Sequence, residues 1–171
     1  MTSFLGKYFI KIAIILSLII FSSCSIFNKN KTAKMELNGI TKQADLTGNK
    51  KIKWFDEEYK NYVPNQVIIN QLKPLKNKLN VLIIAGAWCS DTQRELPRFF
   101  KIINEIGVPN NHIEMIMVDE NKKTVAFNIS VLQVTNIPTF IFFKDGKELG
   151  RIIEKPQVTL EDDLANLLQL K

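Results

Sequence analysis

The feature that most constrains this chain is the run Val81-Leu82-Ile83-Ile84-Ala85-Gly86-Ala87, which passes directly into Trp88-Cys89-Ser90-Asp91-Thr92. A continuous apolar run of this kind suits a strand buried on both faces, not one that alternates between core and water. After Cys89 the period changes. Leu96, Phe99, Phe100, Ile103 and Ile106 fall on one face of a helix. Cys89 therefore stands where a buried strand turns into a helix. Such a strand needs neighbours on either side and layers above and below, which commits the chain to an α/β architecture.

The remaining elements follow from spacing. Gly107, Val108, Pro109 and Asn110 stop the helix, and Ile113 to Val118 reads as a second buried strand ending at Asp119. Thr139 to Phe143 is a third strand. Lys144-Asp145-Gly146-Lys147 is a turn with Asp-Gly as its hairpin signal, and Glu148 to Ile153 returns antiparallel. Thr159 caps a final helix with Asp162 as capping-box partner, and Leu160, Leu164, Leu167 and Leu168 form its apolar face. Upstream, Trp54, Phe55, Tyr59 and Tyr62 predict a short helix with an aromatic face. Asn65 opens another, with Ile68, Leu72, Leu75 and Leu79 at helical spacing, which Pro74 must kink or shorten. Val125, Ile129 and Leu132 are also helically spaced, so a helix is expected over 121–133. Helix, strand, helix, strand, helix, strand, strand, helix implies a mixed sheet with helices on both faces.

The N-terminus is of another kind. Lys7 and Lys11 precede an apolar stretch from Ile12 to Phe21, the pattern of a secretory signal. Phe21-Ser22-Ser23-Cys24 then resembles a bacterial lipobox, with Phe where Leu is commoner. That resemblance implies cleavage before Cys24, a lipid on its thiol, and a location in the bacterial cell envelope, facing the periplasm and anchored to a membrane. A signal anchor retained as a membrane helix is the other reading. Residues 25 to about 50 carry few large apolar side chains and read as a flexible basic spacer. The expected organisation is a leader over 1–23, a lipidated Cys24 with linker over 24–53, and a folded domain over 54–171.

The formal charge of +6 does not describe the domain. Lys7 and Lys11 lie in the leader. Lys29, Lys31, Lys34, Lys42, Lys50, Lys51 and Lys53 lie in the spacer, and the chain from Trp54 onward is close to neutral. A soluble linker is favoured over a tail lying on anionic lipid. No interleaving of basic and aromatic residues points to nucleic acid.

The cysteines are Cys24 and Cys89. If the first is acylated, the second is an unpaired thiol in an oxidising compartment. The order of elements, together with Trp88-Cys89, Pro97, Ile137-Pro138-Thr139 and Lys144-Asp145-Gly146, resembles the thioredoxin-like family over roughly Leu79 to Leu170. The flanking run from Trp88 to Phe100 also resembles a group of exported bacterial proteins of that fold. The resemblance implies a cis bond before Pro138, a loop packed beside the reactive sulfur, and Ile137 as a backbone contact for an extended substrate, while Trp88 is expected either to shield the thiol or to contact a partner. Two departures limit it. Thr92 stands where the second cysteine of a dithiol site belongs, so the internal resolving step is closed. Ile83 stands where many members carry a buried acid.

Cys89 at a helix start would meet unpaired N–H groups and the positive end of the dipole, both of which favour a thiolate. The Thr92 hydroxyl is expected to donate to the sulfur. Asp91 opposes the thiolate, and Arg94 is placed to offset Asp91. His112 lies in a polar loop without the partners a metal would need. Asp119 and Glu120 are expected in solvent, and nothing calls for a cofactor. The leading reading is a membrane-tethered monomer exchanging with protein or small-molecule thiols and disulfides through Cys89, with an external resolving thiol. A redox-inactive binding module on the same fold is the alternative. A thiol peroxidase ranks last, because no motif arranges donors around a peroxide.

Overall fold

The computed structural model describes residues 37–126 and 128–170. The leader and Cys24 lie outside the described residues. Ten elements follow in order, beginning with β1 (Gly39–Thr41), α1 (Gln43–Leu46), α2 (Lys53–Asn61) and α3 (Gln66–Leu72). Next come β2 (Asn80–Ala85), α4 (Ser90–Ile106), β3 (Ile113–Met117), β4 (Thr139–Lys144), β5 (Lys147–Ile153) and α5 (Leu160–Leu167). They form a mixed five-stranded sheet in the order β1-β3-β2-β4-β5. β2 and β3 are parallel, with Ile83 opposite Met115, and the remaining pairs are antiparallel. β2 lies at the centre, as its unbroken apolar run requires.

Local chemistry accounts for the helix ends. Asn65 caps α3 by accepting from the Val67 and Ile68 amides. α3 stops at Leu72, and Pro74 falls in a short 3-10 turn that follows. Pro97 sits inside α4, which ends on Gly107 in the left-handed region at φ 84°. A side chain there would be strained, which is why glycine serves as the stop. The Thr159 hydroxyl accepts from the Asp162 amide at 3.1 Å and donates to its carboxylate at 2.6 Å. The Thr159 half of the cap read from the sequence is present, while the Asp162 carboxylate meets the Thr159 hydroxyl in place of its backbone N–H.

Alternation along the strands sorts the core. Val81, Ile83 and Ala85 join Met115, Met117, Phe140, Phe142 and Ile152 on one face, against Phe55, Leu72, Leu96, Phe99 and Leu164. The α-helices from α2 onward pack on this face. Ile84 and Ile116 point to the other, where they meet Val118, Ile129 and Ile137.

Two expectations are corrected. The helix over 121–133 does not form; a 3-10 turn over Ile129–Leu132 is the only helical piece among the described residues there. Val125 is exposed, so the helical stripe is not used. Lys122 and Gln133 adopt positive φ, which an α-helix cannot accommodate. The second face is therefore covered by an irregular strap formed by the described residues of 119–126 and 128–138. The spacer also does not run to residue 53. Leu46 and Ile52 are buried, and β1 pairs with β3 through Ile40 opposite Ile116. Scattered apolar residues too few to fold alone can still dock on an existing sheet. Burying one leucine contributes about 2 kcal/mol. The domain therefore includes β1 and α1, upstream of Trp54.

Candidate functional site

Cys89 is the N-cap of α4, with extended backbone at φ −83° and ψ 127°. The end of β2 brings it there, and the Cys89 amide donates to the Gly86 carbonyl at 3.0 Å to make the turn. The side chain is half-buried, and Cys89 is a free thiol. Across from it the Ile137–Pro138 peptide is cis. The thiol donates to the Ile137 carbonyl with sulfur and oxygen 3.5 Å apart. Residues 48 positions apart are thereby joined by the sulfur itself.

The structure gives Thr92 a hydrogen bond with the backbone and none with the sulfur among the described residues. Thr92 is fully buried on the inner side of α4, and its hydroxyl accepts the Gly86 N–H at 3.4 Å. The hydroxyl oxygen thereby satisfies a backbone amide at the end of β2 that would otherwise be buried without a partner. The sulfur's polar contact is the Ile137 carbonyl instead.

Trp88 is half-buried and anchored by its indole N–H, which donates to the Val118 carbonyl at 3.1 Å. It lies flat over Gly86: a Cβ added there would fall 2.6 Å from the Trp88 Nε1 and 2.9 Å from the Ile137 Cδ1. Gly86 thus lets the tryptophan and the Pro138 loop close over the end of β2. A glycine inside a strand pattern is the sequence signal for such a close approach. Gln93 adds a further tie through its side-chain amide, which donates to the Ala87 carbonyl at 2.8 Å.

The charges follow part of the expectation. Arg94 pairs with Asp91 at 2.8 Å and reaches Glu95 at 2.6 Å. The hydrogen bond to Glu95, then that to Asp91, holds the Arg94 guanidinium above its ordinary pKa, against the opposing effect of burial. Glu95 itself is buried, and its Oε2 has no hydrogen-bond partner among the described residues. Nearby, Glu161 is buried and accepts from the Tyr62 hydroxyl at 2.7 Å and the Asn65 amide at 2.9 Å. Burial first, and then that bond to Glu161, pushes the Tyr62 phenol well up. The acids Glu95 and Glu161 are buried by contacts distant in sequence, and no local pattern marks them.

Other residues take different places from those expected. Asp119 is a turn organiser, accepting from the Asn121 and Lys123 amides at 3.0 and 2.7 Å. His112 is half-buried, with Nδ1 3.1 Å from the Leu79 carbonyl. Trp54, Tyr59 and Tyr62 do pack: Phe55 stacks on Tyr59 at 6.1 Å, and the Arg98 guanidinium lies 5.2 Å over the Tyr62 ring. Among the described residues no cluster of three or more His, Cys, Asp or Glu side chains could hold a metal ion. Among the same residues no helix is long and apolar enough to cross a membrane.

A thiol at a helix N-terminus, opposite a cis X-Pro bond at the end of the central strands of a mixed sheet, defines the thioredoxin-like α/β class. The chain belongs to the thioredoxin family: a family model described as Thioredoxin matches residues 33–165. Thioredoxin H-type 1 of Nicotiana tabacum is 31% identical over 88 residues, covering 51% of this chain and 64% of that protein. A thioredoxin-like protein of Acanthamoeba polyphaga mimivirus is 23% identical over 82 residues, covering 48% of this chain and 57% of that protein. The chain thus spans less than two thirds of either relative's length. Among solved structures, Fasciola hepatica thioredoxin aligns with a TM-score of 0.38 and 27% identity, over 62% of this chain and 90% of that one. A protein of unknown function from Pseudomonas aeruginosa aligns with a TM-score of 0.44 and 18% identity, over 68% and 69%. Membership of this family supports a thiol redox role in general.

Proposed function

We propose that this chain is a monothiol exchange protein, with Cys89 as nucleophile and the second thiol supplied from outside. The observation that supports it is the setting of Cys89: half-buried at the head of α4, opposite Ile137, with a buried Thr92 where a resolving cysteine would stand. The Cys89 thiolate attacks one sulfur of a disulfide, forms a new S–S bond and releases the other sulfur as a thiolate. An external thiolate then attacks the mixed disulfide, leaves with the substrate sulfur and restores Cys89. No net electrons are left on the protein, and Trp88 and Pro138 shape the approach.

Because Thr92 cannot complete the cycle, the mixed disulfide should persist. Incubation with oxidised glutathione, followed by intact-mass measurement, should show one adduct that added dithiothreitol removes. The adduct should be absent in Cys89→Ser. A native protein that stays unmodified, while the urea-unfolded chain is modified, would overturn the reading in favour of a redox-inactive binding module.

We also propose that the domain is held at a bacterial membrane, facing the periplasm, by a lipid on Cys24. The leader pattern supports this. Metabolic labelling with a fatty acid should mark the wild type and not Cys24→Ala. Label retained in that variant, or absent from both, refutes the anchor.

A further inference from the structure

A cleft lies at the end of the sheet away from the thiol. β2 runs from Asn80 to Ala85, about 20 Å, and Cys89 follows its far end. The cleft opens at the near end, beside Leu79, and shares no lining residue with the site of Cys89. Three pieces of chain wall it with leucine: Leu75 and Leu79 after α3, Leu149 on β5, and Leu167 and Leu170 at the end of α5. Its charged lining residues are Lys78 and Lys144, both exposed. Among the described residues no carboxylate side chain lines it, and neither ammonium group has an ion pair. Glu148, beside Leu149, is already gripped by Arg151 at 2.5 and 2.9 Å.

The end of α5 is shaped to make this wall. A Cβ added at Gly150 would fall 2.4 Å from Leu167 Cδ2, so Leu167 rests on bare β5 backbone that only glycine provides. Gln169 then takes a left-handed φ of 56°. Its amide donates to the Asn166 carbonyl, and the Leu170 amide to the Ala165 carbonyl, both at 3.0 Å. Glycine usually fills that position of a helix end, and a glutamine there is strained. The turn reverses the chain and brings Leu170 back to the cleft.

The space measures about 210 Å³. A protein cavity of about 150 Å³ holds a benzene ring, so this one takes roughly eight carbons of a single alkyl chain. Leucine walls select an apolar tail, and two ammonium groups without a nearby carboxylate select an anionic head. We propose that the cleft binds a medium-chain fatty acid as its anion, with the alkyl chain among the leucines and the carboxylate at Lys78 and Lys144. Two-tailed membrane lipids are too large for it. The site is independent of the exchange reading, because it lies a strand's length from Cys89.

Leucine-methyl NMR of the full chain reads the cleft directly. Octanoate should shift the methyls of Leu149, Leu167 and Leu170. Affinity should rise about fourfold per methylene from hexanoate to octanoate and level off beyond about eight carbons. Lys78→Gln combined with Lys144→Gln should weaken octanoate about fivefold and leave 1-octanol within about twofold. Lys144→Glu, which puts a like charge at the carboxylate, should weaken octanoate about tenfold. If the double variant does not fold, Lys144→Glu carries the test alone, since its side chain lies on the exposed hairpin. Methyls that stay unmoved at millimolar octanoate, or equal losses for octanoate and octanol in the lysine variants, overturn the proposal. So do shifts caused by phosphatidylglycerol vesicles and by no free fatty acid.

Discussion

The two faces of the sheet are held by different physics. On the helix side, Phe99 stacks on Phe140 at 4.3 Å and meets Phe142 at 5.9 Å, within a large cluster fed by α2 to α5. On the strap side a smaller cluster among the described residues joins Ile84, Ile116, Val118, Ile129 and Ile137. The strap is kept in place by directional bonds from Asn38, Lys122 and Arg151. Burial is non-directional and summed over area; a hydrogen bond contributes only about 1 kcal/mol net and specifies a geometry. The helix face therefore carries stability, and the strap face carries placement. Cys89 sits at the head of a helix rooted in the first and packs against the second, which gives the thiol a rigid base and an adjustable partner.

The sharpest way to break this contrast is Phe99→Ala. It should cost about 3–5 kcal/mol, read from the urea midpoint at unchanged slope. If Ile129→Ala costs as much, the two faces are not different in kind. Gly86→Ala comes next, at about 1–3 kcal/mol, because its new methyl meets Trp88 and Ile137. Hydrogen exchange should then quicken in 119–138 while the amides of α4 keep their order of protection. Uniform loss of protection would contradict the division.

Smaller effects are expected in the polar groups. The Tyr62 phenol is raised in the folded state, so the stability it contributes is present below the unfolded value near pH 10 and lost as pH rises above it. Tyr62→Phe should cost about 1 kcal/mol at neutral pH and flatten the alkaline loss; an unchanged alkaline slope would show that Tyr62 is not its source. Least of all is the strap's own ion pair. The hydrogen bond from Arg151 holds Glu148 below the usual carboxylate range. Its contribution is present above the ordinary glutamate value of about 4.3 and fades as pH falls through the lower folded value. Being partly exposed, it is worth under about 1 kcal/mol. Glu148→Gln should remove that acid-side dependence without moving the neutral-pH stability by more.

The same division explains what could be read from the sequence. The helix face was legible because Leu96, Phe99 and Ile103 repeat at the helical period and Val81 to Ala85 runs unbroken. Caps at Asn65, Gly107 and Thr159 were legible because each satisfies a local need. The strap was not. Val125, Ile129 and Leu132 mimic a helical stripe, while what decides the local fold are bonds from Asn38 and Arg151, far away in the chain. In the candidate site, Cys89 and Pro138 were singled out by motif and spacing, and the fold brings them together. Thr92 was also singled out, but its bond with the Gly86 amide is visible only once β2 and α4 are joined. Glu95, Lys122 and Arg151 announce nothing locally.

β1 has a consequence for anyone preparing this domain. It is three residues long, and it covers the outer edge of β3. A fragment begun at Trp54 would leave Met115, Ile116 and Met117 as an open apolar edge, ready to pair with the same edge of another molecule. Such a fragment is expected to be aggregation-prone even if its thiol is intact, whereas one begun ahead of Asn38 keeps the edge closed.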